Sequence, residues 1–301
     1  MKTVLIALFE GIEAKNLLRT DVIRGIVADE DVRAVLLLKS KERVEYYKKE
    51  FSHPRLVFIE APYPFPGTQL DRFFGWTKFL LLNTETTRLR RWIAFKDRRY
   101  PLKYLEYPLG LFFSWLFARG PFRSFLRFLD FSLVRTDHFK HILDTYQPDL
   151  VLLANLFDEP ETALVREAKQ RGIRTIGLVN SWDKVTARMM IRILPDSFVV
   201  FNHSVEEELR RYDGVSKNRI FIGGMPHFDA YKKPATVSRG EFLKLKGIPS
   251  ENKLVVFAPF GRAFNDTMWE TIDLMHEMNS RGEFGNAVSI LVRFQPNDFL
   301  E

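Results

Sequence analysis

Cysteine is absent from the 301 residues. That excludes a disulfide scaffold, a thiolate zinc site, an iron–sulfur cluster and a cysteine nucleophile, and it fits a reducing compartment. Long apolar runs are missing as well. The nearest approach, Leu109–Ala118, is closed off by Pro108 and Arg119, short of the roughly 18 residues a spanning helix needs. The N-terminus offers only Val4–Phe9 before Glu10. This is too short for the core of a secretory signal and lacks a small-residue cleavage site, so it reads as a buried first strand. No P-loop, G-x-G-x-x-G, G-x-S-x-G or H-E-x-x-H motif occurs. His138 and His141 share a helix face without a third ligand nearby, so no metal is expected.

What is present suits a globular chain of up to two domains: 46% hydrophobic residues, 28% charged, and a net charge of +7. The first third alternates strands (Thr3–Phe9, Arg33–Leu38, Arg55–Ala61) with helices (Ala14–Ala28, Lys41–Phe51). The strands are continuous apolar runs, which implies a parallel sheet covered on both faces. After Tyr63-Pro64-Phe65-Pro66-Gly67 a single long helix is expected from Leu70 to Phe95, then a Pro- and Gly-punctuated stretch to about Phe131. The rhythm resumes with a helix at Val134–Tyr146, a strand at Asp149–Ala154, a helix at Glu161–Arg171 and a strand at Arg174–Val179. A strand at Ser197–Phe201, a helix at Val205–Tyr212 and a strand at Arg219–Ile222 follow. The expected fold is α/β: a doubly wound, Rossmann-like domain over residues 1–230, with a helical insertion at 68–132. Residues 231–252 read as a linker. Residues 253–301, with strands at Lys253–Ala258 and Val288–Arg293, read as the incomplete start of a second Rossmann-like domain, since two strands and one helix bury too little core alone.

The positive charge is concentrated. Between Arg72 and Arg135 thirteen Lys and Arg face four acids (Glu85, Asp97, Glu106, Asp130), a net +9 that leaves the rest of the chain at −2. The same window holds 11 of the 28 Phe and three of the five Trp. Two readings stand. The rings fill a helical core with the cations solvated outside it, or the surface adsorbs to an anionic bilayer, rings entering the interface while Lys and Arg meet phosphates. No nucleic-acid-binding motif accompanies the charge, so nucleic acid is not expected as a partner.

Open α/β sheets build their sites at the carboxyl ends of their strands. The first strand ends Phe9-Glu10-Gly11, where Gly11 lets a ligand approach the backbone and Glu10 is a candidate general base. The fourth ends Ala154-Asn155 before Asp158 and Glu159, acids that a helix N-terminus favours without any function. The fifth leads into Asn180-Ser181-Trp182-Asp183-Lys184, and an exposed loop residue, a cap or a packed ring is the ordinary alternative for each of these positions.

From about Pro148 to Tyr231 the chain resembles the end of the N-terminal domain of GT-B glycosyltransferase-like proteins of bacterial surface-carbohydrate biosynthesis. The likeness is to proteins near the CDP-glycerol glycerophosphotransferases and the UDP-N-acetylglucosamine 2-epimerase-like fold. It is carried by Ser181-Trp182-Asp183, Pro195-Asp196, Tyr212-Asp213-Gly214-Val215 and Gly224-Met225-Pro226-His227-Phe228-Asp229, in that order. Val256–Arg262 and Leu291–Asn297 are similar to the first two strands of the C-terminal domain. Lys184 stands where a look-alike has Asn, and Gln295 where many have His. The resemblance implies a transferase moving a sugar or polyol phosphate from a nucleotide-activated donor (a nucleotide sugar or CDP-polyol as substrate, with no resident cofactor) to a surface-glycan or lipid-linked acceptor. Alternatives are a nucleotide-sugar epimerase and a non-catalytic membrane-surface module. In that picture Glu10 and Asp183 are catalytic, with Gly11, Ser181 and Trp182 lining the cleft. Gly224 and Asp229 set the hinge, and Arg262 and Arg293 face donor phosphates. The implied location is cytoplasmic, peripheral on the inner face of the membrane.

Overall fold

The computed structural model describes residues 1–62, 64–96, 103–259, 267–285 and 287–294. The chain divides into two compact units, Met1–Lys232 and Lys233–Glu301. The first opens with β1 (Lys2–Leu8), α1 (Gly11–Leu17), α2 (Asp21–Ala28), β2 (Val32–Leu38), α3 (Lys41–Glu50) and β3 (Leu56–Glu60). Four helices follow without an intervening strand: α4 (Gln69–Leu80), α5 (Glu85–Lys96), α6 (Lys103–Phe117) and α7 (Gly120–Leu133). Then come α8 (Lys140–Tyr146), β4 (Leu150–Leu153), α9 (Glu159–Gln170), β5 (Arg174–Leu178), the single turn α10 (Lys184–Ala187), β6 (Ser197–Val200), α11 (His203–Glu208) and β7 (Ile220–Ile222).

All seven strands are parallel, in the order β3-β2-β1-β4-β5-β6-β7. This is the doubly wound α/β arrangement expected, and the winding reverses between β1 and β4. Strand alternation explains why the strands read as unbroken apolar runs. Leu5, Ala7, Val35 and Leu37 pack into one layer with Val151 and Leu153. Ile6, Leu8, Ala34, Leu36 and Leu38 pack into the layer on the opposite face. Successive side chains point to opposite faces, both covered by helices, so no position along Leu5–Leu8 or Ala34–Leu38 can be polar without cost. Each fully buried leucine contributes about 1.5–3 kcal/mol.

Two long helices expected from periodicity are each broken in two, and side chains do the breaking. The Thr20 hydroxyl donates to the Asn16 carbonyl at 2.9 Å and accepts from the Val22 N–H at 3.3 Å, ending α1 and capping α2. Between α4 and α5 the Thr84 N–H donates to Thr87 Oγ1 at 3.0 Å and the Thr87 N–H to Thr84 Oγ1 at 3.1 Å. Such local bonds offer the backbone an alternative to the helix, which an apolar stripe does not reveal.

The second unit contains α12 (Arg239–Leu245), β8 (Lys253–Phe257), α13 (Thr267–Ser280) and β9 (Val288–Val292), with β8 and β9 paired in parallel.

The helical insertion is fastened to the sheet by charge. Arg192, buried in the β5–β6 connection, donates from Nε to Asp130 Oδ2 at 2.8 Å and from Nη2 to Asp130 Oδ1 at 2.9 Å and Asp71 Oδ1 at 2.8 Å. Its Nη1 donates to Glu159. Arg166 of α9 adds a bond to Asp130 at 2.7 Å, and Lys78 of α4 reaches Glu159 at 2.5 Å. Gly75 gives α4 room to lie here, since a Cβ would stand 3.1 Å from Glu159 Oε1. A second clamp joins Arg127 of α7 to the buried carboxylate of Asp213 at 2.5 Å, which also accepts from the Ile191 N–H at 3.1 Å. The reading in which the insertion's cations solvate its outside therefore fails for Lys78, Arg123 and Arg127. Lys78 and Arg123 are buried, and Arg123 and Arg127 donate into the 211–213 backbone.

Removing the central cation leaves two carboxylates in a dry interior, a loss of about 3–5 kcal/mol for a buried pair broken from one side. Arg192→Met is expected to lower urea-unfolding stability by that amount, with Asp130→Asn milder because the amide keeps its shape and one acceptor. An Arg192→Met protein as stable as wild type would mean the network does not hold the insertion in place.

Candidate functional site

The carboxyl ends of β1, β4 and β5 meet at the point where the winding reverses, and they surround a cleft of about 470 Å³. Glu10 and Gly11 contribute from β1, Asn155 and Asp158 from the loop after β4, and Asn180, Ser181 and Asp183 from the loop after β5. Ile12 of α1, Lys184 of α10 and Arg188 just beyond it complete the lining.

Each side is set by local bonds. At the β1 end the Glu13 carboxylate accepts from the Glu10 N–H at 2.9 Å, in a capping box that starts α1. The Glu10 carboxylate turns to Lys39, 3.1 Å away, and Arg43, 3.9 Å away. Gly11 leaves space: a Cβ there would meet nothing within 4 Å. After β4 the Asn155 side chain organises the loop, accepting from the Phe157 N–H at 3.3 Å and donating to Asp158 at 2.5 Å. The same Asn155 oxygen accepts from Lys184 Nζ at 3.0 Å, tying the two loops together. After β5, Ser181 donates to Asp183.

The electrostatics around Lys184 are unusual. Burial pulls the Lys184 ammonium below its ordinary pKa, opposed by the nearby charges of Asp158, Glu13 and Glu161. Burial pushes the Glu13 carboxyl up to about 7, and burial, with the like charges of Glu13 and Asp158, pushes the Glu161 carboxyl well above its ordinary value. Neither oxygen of Glu161 has a hydrogen-bond partner, and one oxygen of Glu13 has none. Asn180 is 2% exposed and lines the cleft with neither of its amide atoms bonded. A buried amide left unmade costs about 1–3 kcal/mol, so this one is poised for a ligand or solvent. The N-terminus of α9 opens on the same space, its cap residue Asp158 making no side-chain cap bond.

A carboxyl raised to about 7 thus lies near a cleft-lining cation and an unbonded amide, features that acid–base sites share. Among the described residues no group of three or more His, Asp or Glu is placed to hold a metal ion.

Of the residues singled out from sequence, Glu10, Gly11, Ser181 and Asp183 converge on the cleft. Trp182 lies between two of them but is 72% exposed and does not line it. Gly224 adopts φ +72°, and Asp229 is exposed and paired with Lys232 at 3.1 Å. Gly224 precedes, and Asp229 lies within, a short helical segment, Pro226–Lys232, that packs on α1, where His227 meets Asn16 at 2.8 Å. Arg293 is exposed just after β9, and Arg262 lies outside the described residues. Glu13, Glu161 and Arg188 escaped the sequence reading, although Glu161 carried a signal. It occupies the apolar stripe of α9 together with Leu164, Val165 and Ala168, all buried.

The sequence matches no protein-family model and no curated protein. Solved structures do match. The UDP-GlcNAc 2-epimerase from Neisseria meningitidis, bound to UDP-GlcNAc, aligns with a TM-score of 0.51 at 11% identity, over 99% of this chain and 67% of that one. The UDP-N-acetylglucosamine 2-epimerase from Rickettsia bellii aligns with a TM-score of 0.51 at 12% identity, over 99% and 63%. MnaA from S. aureus, in a co-structure with UDP, gives 0.52 at 9%, over 99% and 63%. The chain shares their fold. At such identities the likeness concerns architecture alone, and the chain spans about two thirds of the length of these enzymes. The architecture implied by the ordered motifs is the one found.

Glu13 gives a test of these electrostatics that needs no substrate. The folded state keeps its proton up to about pH 7, whereas the ordinary value is 4.5. The fold is therefore unpenalised below pH 4.5, loses stability as pH rises toward 7, and stays penalised above, by about 3 kcal/mol at most. Glu13→Gln is expected to be more stable than wild type at pH 8, with the difference closing as pH falls toward 4.5. Denaturation midpoints that differ equally at both pH values would remove the raised carboxyl from the picture.

Proposed function

We propose that the chain binds a nucleotide-activated sugar or polyol phosphate and transfers the activated group to a glycan or lipid-linked acceptor. The observation that carries this is the cleft at the winding reversal, where Asn180 is buried and unbonded beside Lys184, with two buried carboxyls near that lysine, Glu13 raised to about 7 and Glu161 raised by burial. Transfer needs a base for the acceptor hydroxyl and positive charge near the leaving phosphate. Glu10 and Asp183 at the mouth are assigned to the acceptor proton, with Glu13 as the group that exchanges it inward. Lys184, Arg188 and the N-terminus of α9 offer the positive side. Ser181 is assigned to the acceptor wall. The proposed setting is the cytoplasm.

Epimerisation of a nucleotide sugar is the second reading, favoured by the fold shared with the UDP-GlcNAc 2-epimerases. It uses the same carboxyls differently, taking a proton from carbon and returning it to the opposite face.

Incubating the full chain with UDP-sugars and CDP-glycerol in deuterated water separates the two. Acceptor-dependent release of free nucleotide supports transfer. Deuterium incorporation into recovered sugar without an acceptor supports epimerisation. Lys184→Met and Asn180→Ala are expected to weaken donor binding in calorimetry by about ten- to a hundredfold, as the loss of a hydrogen bond to a charged group does. Unchanged affinity in both variants would place the donor elsewhere.

A further inference from the structure

The helices of the insertion are built inside out. In α4 the buried positions are Asp71, Phe74 and Lys78, while Phe73, Trp76 and Phe79 face solvent. In α7 the buried positions are Arg123 and Asp130, while Phe125, Phe128 and Leu133 are exposed. In α6 the Ser114 hydroxyl is buried and donates to the Leu80 carbonyl at 2.7 Å. The opposite side of that helix presents Leu105, Leu109, Phe112 and Leu116, a full apolar stripe turned outward, with Trp115 beside it at 59% exposure. In α5 the same i, i+3, i+4 spacing turns Leu89, Trp92 and Ile93 outward. Burying charge while exposing aromatic and aliphatic side chains loses stability in water unless another phase covers the surface.

Charge decides which phase. Arg72, Arg90, Lys96 and Arg119 are exposed among these rings, with the Lys96 ammonium 5.0 Å over Trp92 and the Arg119 guanidinium 5.3 Å over Trp115. Among the described side chains of α4–α7, Glu85 is the one acid outside the buried network, and it is paired with Arg88. A second copy pressed on this face would set cations against cations. Leu89, Ile93, Leu105 and Leu109 supply aliphatic surface that does not stack on bases, which argues against a nucleic acid. Trp and Phe ringed by Lys and Arg match a bilayer interface with anionic headgroups.

We propose that the outer face of α4–α7 is a monotopic docking surface for anionic lipid bilayers, the rings entering the acyl boundary and Arg72, Lys96 and Arg119 meeting headgroup phosphates. Among the described residues no helix is long and apolar enough to cross a membrane, so the surface lies on the bilayer. The attachment reaches the cleft mechanically. Lys78 donates to the Phe157 carbonyl at 3.3 Å, and Thr84 to the Thr186 carbonyl at 2.6 Å, so α4 and the start of α5 hold both loops that line it. The proposal stands on this surface and does not depend on which reaction the cleft performs.

The test uses the full chain with vesicles of pure phosphatidylcholine and of phosphatidylcholine mixed with phosphatidylglycerol. Sedimentation with the anionic vesicles, weakened by salt, and quenching of tryptophan emission by brominated acyl chains are expected. A Trp76→Ser, Phe112→Ser, Trp115→Ser variant is expected to bind about tenfold more weakly or worse, with its melting temperature retained because the three side chains are exposed. Replacing Arg72, Lys96 and Arg119 by Ser is expected to remove most of the salt dependence. Equal binding to neutral vesicles, no quenching in the wild-type chain, or wild-type affinity in the aromatic variant would overturn the proposal. So would a dimer that forms through this face in place of vesicle binding.

Discussion

Arg192 is the residue on which the arrangement of this protein hangs. It leaves the β5–β6 connection and enters a space bounded by α4, α7 and α9, where Asp71, Asp130 and Glu159 converge on it. Three carboxylates are met by three cations, since Arg166 and Lys78 join the same cluster. The sum is neutral, and that balance is what permits so much charge in a region with almost no solvent. The planar guanidinium bridges the three acids with separate donors in a fixed fork.

The position of the cluster links the two notable parts of the first unit. Glu159 begins α9 directly beside Asp158 of the cleft, and Lys78 spans from Glu159 to the Phe157 carbonyl. The polar inner faces of the insertion helices are thus spent on holding the sheet's loops in place. Their apolar residues are left to face outward, which is the origin of the exposed aromatic surface. Core, site and surface are consequences of one buried set of charges.

The carboxyls near Lys184 follow another logic. Burial raises both Glu13 and Glu161, and the charge of Lys184 only partly offsets it. Sites that exchange protons keep such groups at a cost in stability, because an ordinary exposed carboxylate is fully ionised at neutral pH and a poor proton donor. Glu10, a few residues away, is instead paired to Lys39 at 3.1 Å, so the end of one strand carries two carboxyls in different surroundings.

Several of these features were legible in the residues alone. The unbroken apolar runs of β1, β2 and β4, punctuated by helices, determined a parallel sheet covered on both faces, because no other arrangement hides both sets of alternating side chains. The strand ends directed attention to Glu10, Gly11, Ser181 and Asp183, which do meet. Helix breaks at Thr20 and Thr84 were hidden, since a hydroxyl competing for backbone bonds leaves the apolar stripe unchanged. Glu13 and Glu161 were hidden because a carboxylate reads as a surface residue until its neighbours are known. The insertion shows the division most clearly. Its composition, aromatic and strongly basic, belongs to the sequence. Which cations turn inward was decided only in three dimensions, because the partners of Arg127 and Lys78 are Asp213 and Glu159, more than eighty positions along the chain. Local periodicity sees nothing at that range, and burial of a charge depends wholly on whether its counter-charge arrives.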